Sequence, residues 1–323
     1  QTREKVLQCV EKLNYRPNMI ARSLVQKRTS TVGILVCHLE NPVYAQYVAS
    51  ISETLRGDGM DIILYSAETH RTWLAGIQTL LSKQVDGLIL ASAQFDGQDE
   101  CPISWDEARQ TGVELMNRNH TPYVIIGYNK ITDGADNWIC PDYYAGARMA
   151  VEFLIREGHR EIGYFHFSEN WEERQSAFRD AMQEAGIKIY TKWKLACDLD
   201  SILNARDAAA NWLDKTADLP TAIFCDNDAL GVGMMQALNE RGIRVPEDVS
   251  VIGNDGNIYS LCTSPRLTTV SIQPMEIGKA AARRLMALLK CPSLPKSETL
   301  MPPKFQMGGT VKCIHMEEAE RRD

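Results

Sequence analysis

The chain has 323 residues, 44% hydrophobic and 24% charged, an ordinary composition for a soluble globular protein of two domains or subdomains. It has no run of about 18 apolar residues and no basic segment leading into an apolar stretch, so neither a membrane span nor a signal peptide is expected. The formal net charge is −7, unevenly placed: residues 1–31 carry seven basic side chains (Arg3, Lys5, Lys12, Arg16, Arg22, Lys27, Arg28) against Glu4 and Glu11, +5 locally, which leaves −12 for the rest.

A basic arm on an acidic body either contacts a polyanion or is a solvated helix face. Nine cysteines are scattered without a C-x-x-C pair, and the six histidines form no H-E-x-x-H. The pattern predicts reduced thiols, a cytoplasmic protein and no metal site.

In chain order, "TREKVLQCVEKLNY" sets Val6, Val10 and Leu13 on one helical face, with Thr2 as cap and Glu4 in the first turn. Pro17 interrupts, and Asn18 caps a second short helix over 19–25. At Thr31 the rhythm changes. "TVGILVC" reads as a buried strand, followed by a helix over 43–56, "DIILYS", a helix over 71–83 and "VDGLILA". A Gly/Asp-rich surface loop over 93–105 precedes a helix over 105–119 and the strand "YVIIGY". The next helix, 144–157, ends at Gly158 as a C-cap. Then come "EIGYFHF", a helix over 171–185, a short strand at "WKLAC", a helix over 202–214, "TAIFC", a helix over 228–240 and "VSVIGND". Extended "LTTVSI" and a helix over 274–289 follow.

Continuous apolar strands alternating with amphipathic helices specify an α/β fold of two doubly wound parallel sheets, each covered on both faces, with a hinge near 158–160. Ligands in such sheets sit beyond the carboxyl ends of the strands. The rims to inspect are therefore His38–Tyr44, Ser66–Thr72, Ala91–Phe95, Gly127–Asn129, Phe167–Arg174, Asp226–Asp228 and Asn254–Asn257. Two facing rims form a cleft that closes about the hinge.

Seven stretches, in order, carry a resemblance: "NPVYAQ" (41–46), "VDGLIL" (85–90), "REGHREIGYF" (156–165), "ERQSAFRDAM" (173–182), "CDNDALGVG" (225–233), "VPEDVSVIGND" (245–255) and "PRLTTV" (265–270). Behind a Tyr-x-Pro-Asn segment, they resemble the lactose-repressor (LacI/GalR) family of bacterial transcription regulators over nearly the whole chain. The resemblance implies two type I periplasmic-binding-protein-like subdomains behind an N-terminal helical hinge remnant of a helix-turn-helix head. It divides the chain into head and hinge 1–30, an N-terminal subdomain 31–159 plus 270–297, and a C-terminal subdomain 160–269 plus 298–323. It also implies a homodimer, an operator DNA partner and a small polar effector such as a sugar or related metabolite, without a cofactor.

Within the hinge, Leu24 matches the family residue that wedges between base steps in the minor groove, beside Ala21, Arg22 and Asn18. Arg16, Arg22, Lys27 and Arg28 serve phosphates. By itself, Leu24 also reads as an ordinary apolar linker residue. The family's recognition helix is expected ahead of residue 1, so this chain alone is expected to bind DNA with poor sequence specificity.

For the effector, the resemblance points to Arg174, whose guanidinium fork suits paired oxygens and which otherwise reads as a surface ion pair on its helix. Asn227 and Asp255 match further ligand residues at strand ends. Asp228 reads more simply as a helix cap. Val43 and Tyr44 would line the opposite wall, Tyr44 with an aromatic face or as a core residue, and Trp171 would stack on the ligand. Gly127 stands where many relatives have an acid, which argues against a plain hexose and leaves room for another sugar, a sugar acid or another metabolite. The segment "PPKFQMGGTVK" lacks the family's usual arginine and serine.

The alternative is a periplasmic-type sugar-binding protein, against which the basic residues 1–30 argue. An enzyme is not expected: "GVGMM" is a poor dinucleotide loop and no G-x-S-x-G elbow occurs.

Overall fold

The computed structural model describes residues 3, 4, 8, 12, 28–91, 104–127, 136–167, 172–197 and 201–314. Arg3, Glu4, Gln8 and Lys12 are helical and exposed. The expected hinge residues Asn18, Ala21, Arg22 and Leu24 lie outside the described residues, as do Trp171 and most of the 93–105 loop.

The first lobe begins with β1 (Thr31–Cys37), α1 (Pro42–Gly57), β2 (Asp61–Ala67), α2 (His70–Ser82), β3 (Gly87–Ala91), α3 (Trp105–Arg118), β4 (Tyr123–Ile126) and β5 (Trp138–Pro141). The second comprises α4 (Tyr143–Arg156), β6 (Ile162–Phe167), α5 (Glu172–Glu184), β7 (Lys194–Cys197), α6 (Ile202–Leu213), β8 (Ala222–Cys225), α7 (Asp228–Asn239), β9 (Ser250–Ile252) and β10 (Thr269–Ser271). The chain then returns through α8 (Pro274–Lys290) and β11 (Glu298–Met301) before β12 (Lys304–Gln306).

Local sequence accounts for the element starts. Asn41 caps α1 by accepting from Val43 N, with Pro42 as the first helical residue. Thr69 with Thr72, and Ser104 with Glu107, form reciprocal capping boxes on α2 and α3. β1 and β3 are buried almost throughout, as central parallel strands are, whereas β2, at the sheet edge, alternates with solvent.

The first sheet has the order β11-β5-β4-β3-β1-β2 and the second β7-β6-β8-β9, all parallel. β10 runs beside β9 through the Ile252–Thr268 and Asp255–Ser271 bridges and pairs antiparallel with β12. In the first lobe α1 packs with α8, and α2 with α3. In the second α4 packs with α5, and α6 with α7.

Three crossings join the lobes, and they correct the expected boundaries. The hinge expected near 158–160 lies instead at Pro141–Asp142. Ala147, Ala150, Val151 and Leu154 of α4 pack with Tyr164, Phe178 and Phe224 in the second core. Gly158 and His159 are therefore inside the second lobe, where the buried His159 ring links Thr221 Oγ1 and the Lys312 carbonyl. The second crossing is Ile272–Gln273: Ile272, Ile277, Ala281 and Leu285 belong to the first core. The third is Pro302–Pro303. Residues 298–301, expected in the second subdomain, pair with β5 in the first sheet. The error has a physical source. β5 ("WICP") and β11 ("ETLM") are four-residue strands without a recognisable apolar run, so the helix after β4 read as its direct continuation.

The contact between α1 and α8 is close because Gly278 has no side chain. A Cβ there would lie 2.0 Å from Ser50 Oγ and 2.8 Å from the Tyr47 carbonyl oxygen. Gly278→Ala is expected to push the helices apart and cost about 1–3 kcal/mol of stability. Urea denaturation checks it, and an unchanged midpoint would contradict the packing.

Candidate functional site

Several of the buried polar side chains, Arg174, Asp226, Asn227, Asp228, Asp255 and Asn257 among them, gather at the carboxyl edge of the second sheet. Arg174, near the start of α5, is 1% exposed. A guanidinium cannot give up its charge, so burial obliges it to find acceptors. It donates to the Asp226 carbonyl oxygen and, through Nη2, to Asp255 Oδ1 at 3.0 Å. Its Cζ stands 4.9 Å from the centre of the Tyr143 ring, a cation–π contact. The alternative reading of Arg174 as a surface ion pair is set aside: it is paired with a buried carboxylate 81 positions along the chain.

Asp255 reaches that position through an unusual backbone, with φ +130°. Two hydrogen bonds hold it there: its N–H donates to the Val270 carbonyl (2.9 Å) and its carbonyl accepts from Ile272 N (3.1 Å). The next residue, Gly256, has φ +65°, and a Cβ would lie 2.4 Å from the Ser271 Cβ. Strain of this kind costs on the order of 1–3 kcal/mol and gathers where function demands a particular side-chain direction.

The segment Asp226–Asp228, just past β8, is buried in full. Asp226 accepts from the Tyr164 hydroxyl (2.6 Å) and Phe167 N (3.2 Å). Burial raises its pKa, against the pull of the Arg174 charge and of those bonds. Asn227 caps α7, its side chain accepting from Leu230 N at 2.9 Å. The helix cap expected at Asp228 is therefore made by Asn227. Asp228 accepts from Asn257 N (2.8 Å) and from the Thr269 hydroxyl, tying α7 to the turn after β9 and to β10. Burial pushes its pKa up to about 6, opposed by the Thr269 and Asn257 bonds and by Arg174.

Thus Arg174, Asp255 and Asn227 converge on one edge. Val43 packs into the first-lobe core and Tyr44 lies partly buried against it. Tyr47, one turn on, was not anticipated. Val43, Tyr47, Ile51 and Leu55 share the spacing of a core stripe, so a phenol among them carries no separate signal. Its ring is edge-on to Tyr44 at 5.9 Å. Burial raises its pKa. Tyr143 and Asp226 complete the group.

Chemically the edge offers one fixed cation, several acceptors and an aromatic face. Burial holds the Cys140 and Cys225 thiols protonated, which suppresses them as nucleophiles. Among the described residues no cluster of His, Cys, Asp or Glu could hold a metal ion, and no helix is long and apolar enough to cross a membrane.

Two outcomes follow from the buried charges. Arg174→Ala leaves Asp255 buried without its cation and is expected to cost about 3–5 kcal/mol. The double variant Arg174→Ala/Asp255→Ala should cost less than the two single costs combined, measured by urea denaturation. Strict additivity would contradict the pairing. For Asp228, the folded pKa stands above the ordinary aspartate value of 3.8. Its contribution is therefore full below about pH 4 and is lost as pH rises through about 6. The stability of the native chain minus that of Asp228→Asn should fall across this window. A flat difference would contradict the burial argument.

Comparison with known proteins places this geometry. Residues 151–311 match the periplasmic binding protein-like domain family. The helix-turn-helix-type transcriptional repressor PurR of Vibrio vulnificus is 32% identical, aligned over 97% of this chain and 91% of its own length. That of Photobacterium profundum is 31% identical over 97% and 91%. Among solved structures, the lac repressor dimer bound to operator and an anti-inducer matches with a TM-score of 0.80 at 23% identity, covering 96% of this chain and 90% of that one. The CelR regulator–cellobiose complex matches with 0.75 at 23% identity, with the same coverage. These relatives are regulators, which sets aside the enzyme reading and favours a regulator over a periplasmic receptor. The chain belongs to the lactose-repressor type of transcriptional regulators, the family of the helix-turn-helix-type PurR repressors.

Proposed function

We propose that this protein is a transcriptional repressor that holds a small polar effector between Arg174, Asp255 and Asn227 on one lobe and Tyr44 and neighbouring α1 residues on the other. The observation that carries the reading is the buried Arg174–Asp255 pair, with Asp255 aimed by strained backbone. Both groups are nearly inaccessible, so an effector enters as the lobes part. It then replaces their mutual contact with its own hydroxyls, carboxylate or ring nitrogens. Support for the ligand class comes from the cellobiose in the CelR complex and from the ribose bound by a LacI family regulator of Enterococcus faecium.

On this reading the DNA contacts belong to the residues ahead of Thr29, with Leu24 as the minor-groove wedge and Ala21, Arg22 and Asn18 beside it, in a homodimer on operator DNA in the cytoplasm. The described structure supplies a mechanical link. Asp86, at the start of "DGLIL", accepts from Thr29 N (2.9 Å), Thr29 Oγ1 (3.2 Å) and Ser30 N (2.9 Å). The segment leading out of the body is thereby fastened to the first lobe. Effector binding favours one orientation of the lobes, which moves that attachment and shifts the population of DNA-competent dimers. A coupling of about 1–3 kcal/mol suffices for such a switch.

A thermal-shift panel of sugars, sugar phosphates, sugar acids and purines tests the proposal. A ligand at about 100 times its Kd adds roughly 2.7 kcal/mol. One chemical class is expected to raise the Tm of the native chain and to leave that of Arg174→Ala unmoved. A full shift surviving in Arg174→Ala would move the site away from this edge.

A further inference from the structure

We propose that Asn254 is a conformational switch residue at the interlobe crossings. Its buried amide has no bonding partner in the lobe orientation described above and gains one from the crossing segments when the lobes turn. It thereby sets the balance between the two orientations before any ligand binds. The inference takes from the proposed function only that the lobes change orientation, and it does not depend on where the effector sits.

Three observations lead to it. First, Asn254 is fully buried, and among the described residues neither its Oδ1 nor its Nδ2 makes a hydrogen bond. Its neighbours along the rim differ. Asp255 accepts from Arg174, Asn227 from Leu230 N, Asp228 from Asn257 N, and Asn257 Oδ1 from Tyr259 N at 2.9 Å. A buried amide without partners bears the desolvation cost of both its ends, which an apolar side chain of similar size does not. Second, the amide stands where the three crossings meet. A Cβ built on Gly146 would lie 3.5 Å from Asn254 Oδ1, 3.6 Å from Pro303 Cβ and 3.8 Å from Val270 Cγ1. Gly146 is in the first turn of α4, just past Pro141–Asp142. Val270 leads into Ile272–Gln273, and Pro303 belongs to the third crossing. Third, the packing there is loose. These three distances are ordinary van der Waals contacts, unlike the close approaches at Gly256 and Gly278. The start of α4 can therefore shift over the amide without collision.

The direction of the effect follows from the surroundings. Val270 and the Pro303 ring offer the amide nothing to bond. The polar groups nearby are main-chain groups of the crossings, which already bond to one another: Asp142 N donates to the Met301 carbonyl, and Gln273 Nε2 to the Pro302 carbonyl. Packed elements take discrete arrangements, and the dihedral angles of these segments change as the lobes turn. A new register of the crossings offers a carbonyl to Nδ2 and an N–H to Oδ1. The unpaired amide raises the free energy of the present orientation alone. The ratio of the two orientations is thereby displaced about tenfold from that of a chain with an apolar residue at 254.

Double electron–electron resonance on the ligand-free chain tests this, with spin labels on a noncanonical residue at exposed Gln110 of α3 and exposed Gln183 of α5. Two distance populations are expected in the otherwise native chain. Asn254→Leu should enrich the population that matches this structure by about tenfold, without lowering the urea midpoint. Asn254→Ala removes the amide and asks for no room. It should enrich the same population, and it decides the matter if leucine lowers the midpoint. A ratio within about twofold of the native chain in Asn254→Ala would overturn the role of Asn254. So would a shift away from this orientation, which means that the amide is satisfied here, or a single population in the native chain. The thermal-shift panel tests the effector site independently of these outcomes.

Discussion

The permanent charge of Arg174 is the constraint around which the second lobe is arranged. A lysine at that depth could shed its proton, whereas a guanidinium cannot. The protein meets the requirement with a carbonyl from the end of β8 and a carboxylate from the turn after β9. Bringing that carboxylate over needs a residue at φ +130°, and a glycine must follow it because Ser271 leaves no room. The two hydrogen bonds that hold Asp255 come from the segment running beside β9 into the crossing at Ile272–Gln273. One charged side chain thus connects α5, β8, β9 and an interlobe crossing.

That connection gives the pair its mechanical meaning. The lobes are joined by three short crossings, so a relative rotation is the motion available with both cores kept intact. A ligand that takes over the bonds of Arg174 and Asp255 and also touches α1 changes the free energy of one lobe orientation relative to the other. Differential contact of this kind is the only way a ligand shifts a conformational equilibrium. The Asp86 grip on Thr29 and Ser30 means that the segment toward the DNA arm moves with the first lobe.

Much of this was legible in the sequence, for physical reasons that differ between elements. β1 and β3 announce themselves as continuous apolar runs, and α1, α2 and α3 as the amphipathic stretches between strands. β5 and β11 do not, because four-residue strands are too short to show a periodicity, and with them went the true crossing points. At the site, Arg174, Asp255 and Asn227 were legible through family resemblance rather than spacing. The cap expected at Asp228 falls to Asn227 because both residue types cap helices, and only the fold shows that the Asp228 carboxylate has Asn257 and Thr269 as partners.

The most direct measurement is hydrogen–deuterium exchange on the native chain with and without the tightest-binding ligand from a sugar and purine panel. Slowed exchange is expected together at the start of α1 (residues 43–50), the start of α5 (172–178) and the turn after β9 (253–257). These segments are remote in sequence and come together only in the proposed effector site. Slowed exchange confined instead to the second-lobe cavity lined by Val232, Met235, Arg244, Tyr259 and Pro265, about 630 Å³ in volume, would contradict the account by placing the ligand away from Arg174 and Asp255.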